Sequence, residues 1–399
     1  MMMSEWKEYR FSDLLIDESI SYGIVQPGSH KEYDSIPIIR VNNIKDGSIQ
    51  TNNILKVDKE IERKYQRTKL HGGELLITVV GSVGECAIVS KSFAGWNVAR
   101  AVSVARFKND FDIHFVKYSF KTDDILFQMY GNTNDTVQPT LNLSELKSIK
   151  FNIPSLPEQR AIATILSCLD DKIDLLHRQN KTLEAMAEAL FRQWFVEEAE
   201  EEWEMETINQ LVFIQNGYAF KGSDFKENGG NGVLKIKNIS GGIIDIENTD
   251  FVEDSVIQNI DKRFKIRTGD ILIAMTGAEI GKLGIIPNTD KNLWLNQRVG
   301  LLTEKFPGAK YLAYLRLNSD FGQDHIENTA AGSAQPNISA TGIENCGFPI
   351  VNKSFLEDCA LQIKELYDLV IFNLGQIHTL AQLRDTLLPK LMSGEVRVN

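Results

Sequence analysis

A chain of 399 residues, 43% hydrophobic and 24% charged, has the makeup of an ordinary globular protein with room for two or three domains. No window approaches 18 apolar residues and the start "MMMSEWKEYR" has no apolar signal core, which excludes a helical membrane span and points to the cytoplasm. The net charge of −11 speaks against a uniformly basic nucleic-acid coat, but "VEEAEEEWEME" (196–206) carries seven glutamates and without them the balance is −4, so the total constrains no single face.

In chain order, "ELLITVV", "CAIVS" and "AVSVARF" are β-rich runs bounded by polar, Gly-containing loops, and a helical stretch follows near 115–129. Next comes "PEQRAIATILSCLDDKIDLLHRQNKTLEAMAEALFRQWF", with Pro157 suited to a first helical turn. Its apolar positions Ile162, Leu166, Leu169, Ile173, Leu176, Leu183, Ala187, Leu190 and Trp194, with Asn180 among them, alternate at spacings of four and three. That is a heptad seam. After the acidic segment, "DILIAM", "LGII" and "VGLLT" repeat the strand pattern and a helical stretch near 310–326 follows. A second seam then runs Cys359, Ile363, Leu366, Val370, Asn373, Ile377, Leu380, Arg384, Leu387 and Leu391.

The two halves are copies. "IRVNNIKDGSI" matches "LKIKNISGGII" at offset 195, and "GGELLITVVGSVGECAIV" matches "TGDILIAMTGAEIGKLGII" at 196 with one inserted residue. "NVARAV" matches "LNQRVG" at 198, setting Arg100 against Arg298, and "VQPTLN" matches "AQPNIS" at 197. Collinear matches at nearly constant offset indicate a duplication: two small α/β (α+β) units with twisted sheets, each followed by a long helix. The divisions fall at 1–153, 154–196, 197–350 and 351–399.

Two such helices should pair, and their asparagines choose the direction. Asn180 lies two residues after the centre of its seam and Asn373 two before the centre of its own. Antiparallel pairing sets the asparagines face to face, whereas parallel pairing opposes each to an apolar side chain. An unpartnered buried amide costs about 1–3 kcal/mol. The expectation is an antiparallel coiled coil, roughly 50 Å long at the helical rise, whose register Asn180 and Asn373 set.

Catalytic signatures are missing. "TGAEIGKLG" (276–284) suggests a phosphate loop, but the gap between Gly277 and Gly281 is one residue short, and Leu283 stands where Ser or Thr would hold magnesium. Its copy "VGSVGEC" places Glu85 at the Lys282 position, where it would repel phosphate. There is no G-x-G-x-x-G, no HExxH, no Asn-Pro-Pro-aromatic run and no CxxC pair, and the six histidines are scattered, so no metal site is expected. Asp135 with Glu145 and Lys147 is the one arrangement a metal-dependent nuclease could use, although the second half does not reproduce it.

"IPSLPEQRAIATILSCLDDKIDLLHRQN", "LFRQWF" and "LRDTLLPKLMSGEVRV", with "YGIVQPG", "QNGYAFKGSDF" and "GDILIAMTGAEIGKLGI", resemble the specificity (S) subunit of type I restriction-modification enzymes over nearly the whole chain. The second helix departs from the pattern, opening with "IVNKSFLED" in place of PxxEQ. The resemblance implies two target-recognition domains, each reading half of a bipartite DNA sequence. It implies paired helices that set the unread spacer, a separation near one DNA turn of about 34 Å. It also implies two methyltransferase subunits and translocase-nuclease restriction subunits as partners, with S-adenosylmethionine, ATP and Mg bound by them and no cofactor in this chain. A specificity subunit serving a fused nuclease-methyltransferase is the alternative system.

Side chains able to contact DNA are chosen by type and place. In the first half these are Arg40, Asn42, Asn43, Lys45, Ser82, Asn97, Arg100 and Gln138. In the second they are Lys235, Lys237, Asn238, Thr276, Lys282, Gln297, Arg298 and Gln335. Residues alike in both halves, such as Arg100 and Arg298, suit the DNA backbone or the fold, whereas unlike residues such as Glu85 and Lys282 suit base choice. Arg160, Arg178 and Arg192 on the first long helix are candidates for binding the partner subunits.

Overall fold

The structure, a computed structural model, describes residues 6–131, 140–199, 203–330, 336–349 and 351–398. The chain packs as two compact units, Met1–Asp171 with Ala381–Asn399, and Lys172–Leu380. Each unit holds one sheet-rich head and a stretch of both long helices, α1 (Leu156–Arg192) and α2 (Lys353–Met392).

The first head is built on an antiparallel sheet in the order Leu15–Tyr22, Val102–Phe107, Leu75–Thr78, Cys86–Ile88. A three-stranded sheet, Leu55–Asp58, Ser35–Ile39, Asn97–Val98, accompanies it, its last pair parallel. The second head repeats the plan with Val212–Asn216, Val299–Glu304, Ile271–Ala274 and Leu283–Ile285, and with Asp250–Val252, Asn231–Leu234 and Asn292–Leu295. It adds one outer strand to the first sheet and two to the second. A short ladder ties the ends of each head before a long helix begins: Lys7–Arg10 with Lys150–Ile153, and Met205–Thr207 with Gly347–Pro349. The helical stretch of each head is two helices, Ile113–Ser119 and Asp123–Gly131, or Ala309–Asn318 and Asp320–Ala330.

The uninterrupted apolar runs "LLIT" and "ILIA" have a simple cause, because these strands are buried on both faces. Successive side chains point to opposite sides of a sheet. Leu75 and Ile77 therefore enter the core that contains Ile162 and Leu166 of α1 and Leu388 and Leu391 of α2, while Leu76 enters a second core with Ile39, Ile44 and Val98. Ile271 and Ile273 join Ala187 and Ile363 of the long helices, while Leu272 and Ala274 join Leu234 and Leu295. One face of each central sheet thus anchors the head to the helices, and the other supports a loop-bearing layer.

The helices pair antiparallel within each unit. In the second unit Asn373 Nδ2 donates to Asn180 Oδ1 at 2.8 Å, and Asn180 Nδ2 reaches the Val370 carbonyl at 3.4 Å. Phe195 meets Phe355 with ring centroids 6.2 Å apart, so α2 numbering falls as numbering from α1 rises. In the first unit Arg384 Nη1 meets Asp170 Oδ1 at 2.9 Å, Tyr118 of the head donates to Asp170 Oδ2 at 2.8 Å, and Arg397 reaches Glu158 at 2.6 Å. Burial alone would raise the Asp170 carboxyl, but the hydrogen bonds from Arg384 and Tyr118 outweigh it and hold the group below its ordinary value. At the atypical start of α2, Asn352 supplies the cap, its Oδ1 accepting from Ser354 N at 2.8 Å.

Candidate nucleic-acid interface

The loops singled out in the sequence converge through backbone hydrogen bonds. In the first head Ala99 N donates to Ile39 O (2.9 Å), Arg100 N to Ile24 O (2.9 Å), Val79 N to Ala101 O (3.0 Å) and Leu141 N to Val79 O (2.9 Å). In the second head Asn296 N donates to Leu234 O (3.2 Å), Gln297 N to Tyr218 O (2.9 Å), Met275 N to Arg298 O (3.1 Å) and Ile338 N to Met275 O (3.0 Å). The two wirings match bond for bond. Each gathers the end of a strand, the turn after the parallel strand, the glycine turn and the segment just past the Gln-Pro step onto one patch of its own head.

Two glycines make this approach possible. A Cβ on Gly23 would lie 2.0 Å from the Val98 carbonyl oxygen, and one on Gly217 would lie 2.2 Å from that of Asn296. These are the glycines of "YGIVQPG" and "QNGYAF".

The wiring corrects one alignment. Arg100 is equivalent to Gln297, because both amides donate to the chain that passes over them, and Ala101 is equivalent to Arg298, because both carbonyls accept from the glycine-turn strand. The pairing of Arg100 with Arg298 rested on a one-residue shift that side-chain likeness suggested and the backbone does not permit. Arg100 and Arg298 are therefore not a doubled pair. Glu85 and Lys282 do correspond, since their carbonyls accept from Thr78 N and Ala274 N at 2.9 Å each.

"TGAEIGKLG" is a closed turn. Gly277 and Gly281 have φ of +81° and +80°, the left-handed region that favours glycine. The amides of Gly277, Ile280, Gly281 and Lys282 all donate to protein carbonyls, so these four are not free to cradle phosphate. Lys282 forms an ion pair with Glu279 at the tip.

The candidate side chains divide by burial. Asn42, Lys45, Ser82, Arg100, Gln297 and Arg298 are exposed, and among the described residues none of these side chains makes a hydrogen bond. Burial raises the phenol of Tyr22, against a hydrogen bond with the Leu143 backbone and the nearby charge of Arg100. Arg40 is half-buried, its Nη2 donating to Asn53 O at 2.8 Å.

Asn43, Asn97 and Asn238 face inward and contact their own head. Asn43 Oδ1 accepts from Arg40 N at 3.0 Å while its Nδ2 holds the Gln50 and Asn52 carbonyls. Asn238 does the same with Lys235 N, Asp245 O and Asn248 O, which explains "VNN" and "IKN" as one structural knot. Asn97 is 0% exposed, bonded to Thr68 Oγ1 at 2.7 Å and Glu62 Oε1 at 3.3 Å. These three side chains are spent on holding loops, while Thr276 is 8% exposed and its backbone bridges to Asn337. Lys235 and Lys237 both bond Asp250, at 2.6 and 2.7 Å, and Lys235 also lies over the Phe225 ring. Burial pushes the Asp250 carboxyl up, but the two lysines more than offset it and keep it below its ordinary value. Gln138 and Gln335 lie outside the described residues, as does Asp135.

Glu145 is occupied as the reciprocal cap of a short helix: Asn142 N donates to Glu145 Oε2 and Glu145 N to Asn142 Oδ1, each at 2.9 Å. The cap residue is Asn142, and Glu145 closes the box three residues on. On α1, Arg160, Arg178 and Arg192 are all exposed, Arg178 pairing with Asp174 at 3.0 Å and Arg192 lining a groove with Phe191, Val196 and Phe321. Tyr218, on the strand crossing Gln297, is part of the second cluster and was legible only in the "NGY" of its motif. No helix among the described residues is long and apolar enough to cross a membrane.

Known proteins fit this architecture. Residues 3–185 and 200–355 match the family described as type I restriction modification DNA specificity domain. The MjaVIII type I restriction enzyme specificity subunit of Methanocaldococcus jannaschii is 28% identical over 304 residues, covering 71% of this chain and 70% of its own. The MjaIX specificity subunit of the same organism is 26% identical over 305 residues, covering 71% and 69%. The crystal structure of a type I restriction-modification S subunit from M. genitalium superposes with a TM-score of 0.62 over 97% of this chain and 96% of that one, at 16% identity, and so shares the fold. With two matched sequence segments, each folded as a head bearing the same loop wiring, the chain belongs to the type I restriction-modification DNA specificity family.

Proposed function

We propose that each head lays its loop cluster against duplex DNA and reads one half of a bipartite sequence, while the paired helices set the length of the unread spacer. As a member of this family the chain is a DNA sequence-recognition subunit and not itself the catalyst. The observation that carries the finer reading is the doubled cluster: one backbone frame, built twice, with unlike exposed side chains at its tips. A frame held constant suits the sequence-independent DNA backbone, and variable tips suit different bases. Two methyltransferase subunits dock on the chain and bring S-adenosylmethionine. Restriction subunits join them with ATP and Mg, and the assembly works in the cytoplasm. The exposed arginines Arg160, Arg178 and Arg192 belong to the docking surface.

The test is a map of adenine methylation in DNA exposed to this chain with its methyltransferase. A motif in two parts separated by a fixed gap is expected, and a contiguous motif would overturn the reading. The nuclease alternative is not favoured, since Glu145 is committed to capping its own helix. Nor does anything favour service to a fused nuclease-methyltransferase.

A further inference from the structure

Arg100 and Gln297 stand at one position of a common frame. Each follows the parallel strand of its head, each donates its amide at 2.9 Å to the strand crossing above, and each is followed by a residue whose carbonyl is held by the glycine-turn strand. Both side chains are exposed and make no side-chain hydrogen bond within the described residues. The frame thus aims two different side chains from equivalent backbone.

Their chemistry narrows what they meet. Phosphates are the same in both half-sites, so a position that contacts phosphate has no reason to exchange a permanent cation for a neutral amide. Base edges differ between half-sites. Arginine presents paired donors that match the O6 and N7 acceptors of guanine, and glutamine presents a donor and an acceptor that match N7 and N6 of adenine. The other unlike pairs are less suited: Lys237, opposite Asn42, is held by Asp250 at 2.7 Å. Lys282 is engaged with Glu279 opposite Glu85, and Ala101 has no polar group opposite Arg298.

We propose that Arg100 and Gln297 are the equivalent base-reading residues of the two heads, Arg100 selecting a G·C pair in one half-site and Gln297 an A·T pair in the other. The proposal rests on the reading that the loop clusters face DNA.

The experiment uses the full chain co-expressed with its methyltransferase in a host lacking other adenine methylation, and compares methylated motifs of wild type, Arg100→Gln and Gln297→Arg. A wild-type map without a two-part motif defeats the function proposed above, separately from this inference. Given a two-part motif, Arg100→Gln is expected to change one base pair of one half-site from G·C to A·T, leaving the other half-site as it was. Gln297→Arg should make the converse change in the other half-site. The expected preference at the altered pair is about 5- to 150-fold, which corresponds to about 1–3 kcal/mol for a bidentate contact. Unchanged motifs in both variants overturn the assignment. So does a uniform fall in methylation that grows steeper with salt and leaves the motif intact, the signature of a lost phosphate contact. If one variant yields no methylation, the other decides.

Discussion

The two heads share a frame but are filled differently. At the position inside the parallel strand pair, the first head has Asn97 and the second has Trp294, opposite Ile38 and Val233 respectively. Asn97 sits in a polar network with Glu62 and Thr68, Glu62 itself only 3% exposed. Trp294 sits in an apolar cluster with Phe220, Val233, Val252, Ile260 and Phe264. The helix pairs differ in the same manner: an asparagine pair in the second unit, and an aspartate–arginine–tyrosine layer in the first. The difference teaches that the conserved element of the duplication is the backbone wiring of the loops. The interior needs to be filled, by a hydrogen-bonded network in one head and by apolar contact in the other.

The sharpest way to break the common frame is at its glycines. Gly23→Ala or Gly217→Ala forces a Cβ against a backbone carbonyl that no rotamer change relieves. Each should destabilise its own head by about 3 kcal/mol or more. Hydrogen exchange on the full chain should localise the loss to loops 97–101 for Gly23→Ala and 294–298 for Gly217→Ala, and spread of the loss to the other head would contradict two independent frames.

The different interiors predict an unequal pair of effects. Trp294→Ala removes a large buried ring and should cost about 3–5 kcal/mol. Asn97→Ala strips a partner from buried Glu62 and should cost about 1–3 kcal/mol. Thermal denaturation followed by circular dichroism measures both, and equal shifts in midpoint would show that the polar network is worth as much as the apolar cluster.

The helix layers separate by pH. Because the Asp170 carboxyl is held below its unfolded value of about 3.9, its ion pair contributes fully above that pH and is lost as pH falls through the lower folded value. Asp170→Asn should flatten the acid limb of the stability curve, measured between pH 6 and about 2, by at most about 1–2 kcal/mol. The Asn180–Asn373 pair carries no titrating group, so Asn180→Leu should lower stability by about 1–3 kcal/mol equally at every pH in that range. Adding Asn373→Leu should restore that loss, because no amide is then left unpartnered. A double variant as weak as the single one would show that the pair does not act as a unit.

Much of this was legible from residue order. Period-two and heptad patterns report local geometry, so the strands, the seams and the facing asparagines could be read before any coordinates. The duplication was visible too, because related segments recur at nearly constant offset. What stayed hidden was which polar residues point outward. Asn43, Asn97 and Asn238 have the chemistry of base readers, but each is taken up by its own head, Asn43 and Asn238 by loop carbonyls of Asn52 and Asn248 and Asn97 by the more distant Glu62 and Thr68. The equivalence of Arg100 with Gln297 was hidden for the same reason: likeness of side chains favoured one alignment, and long-range backbone hydrogen bonds decided another. Sequence alone determined the repeat, the helix pairing and the family, because these depend on patterns along the chain. Only tertiary structure decided which positions of the two heads correspond and which side chains are free to meet DNA, because both depend on which distant carbonyl each amide finds.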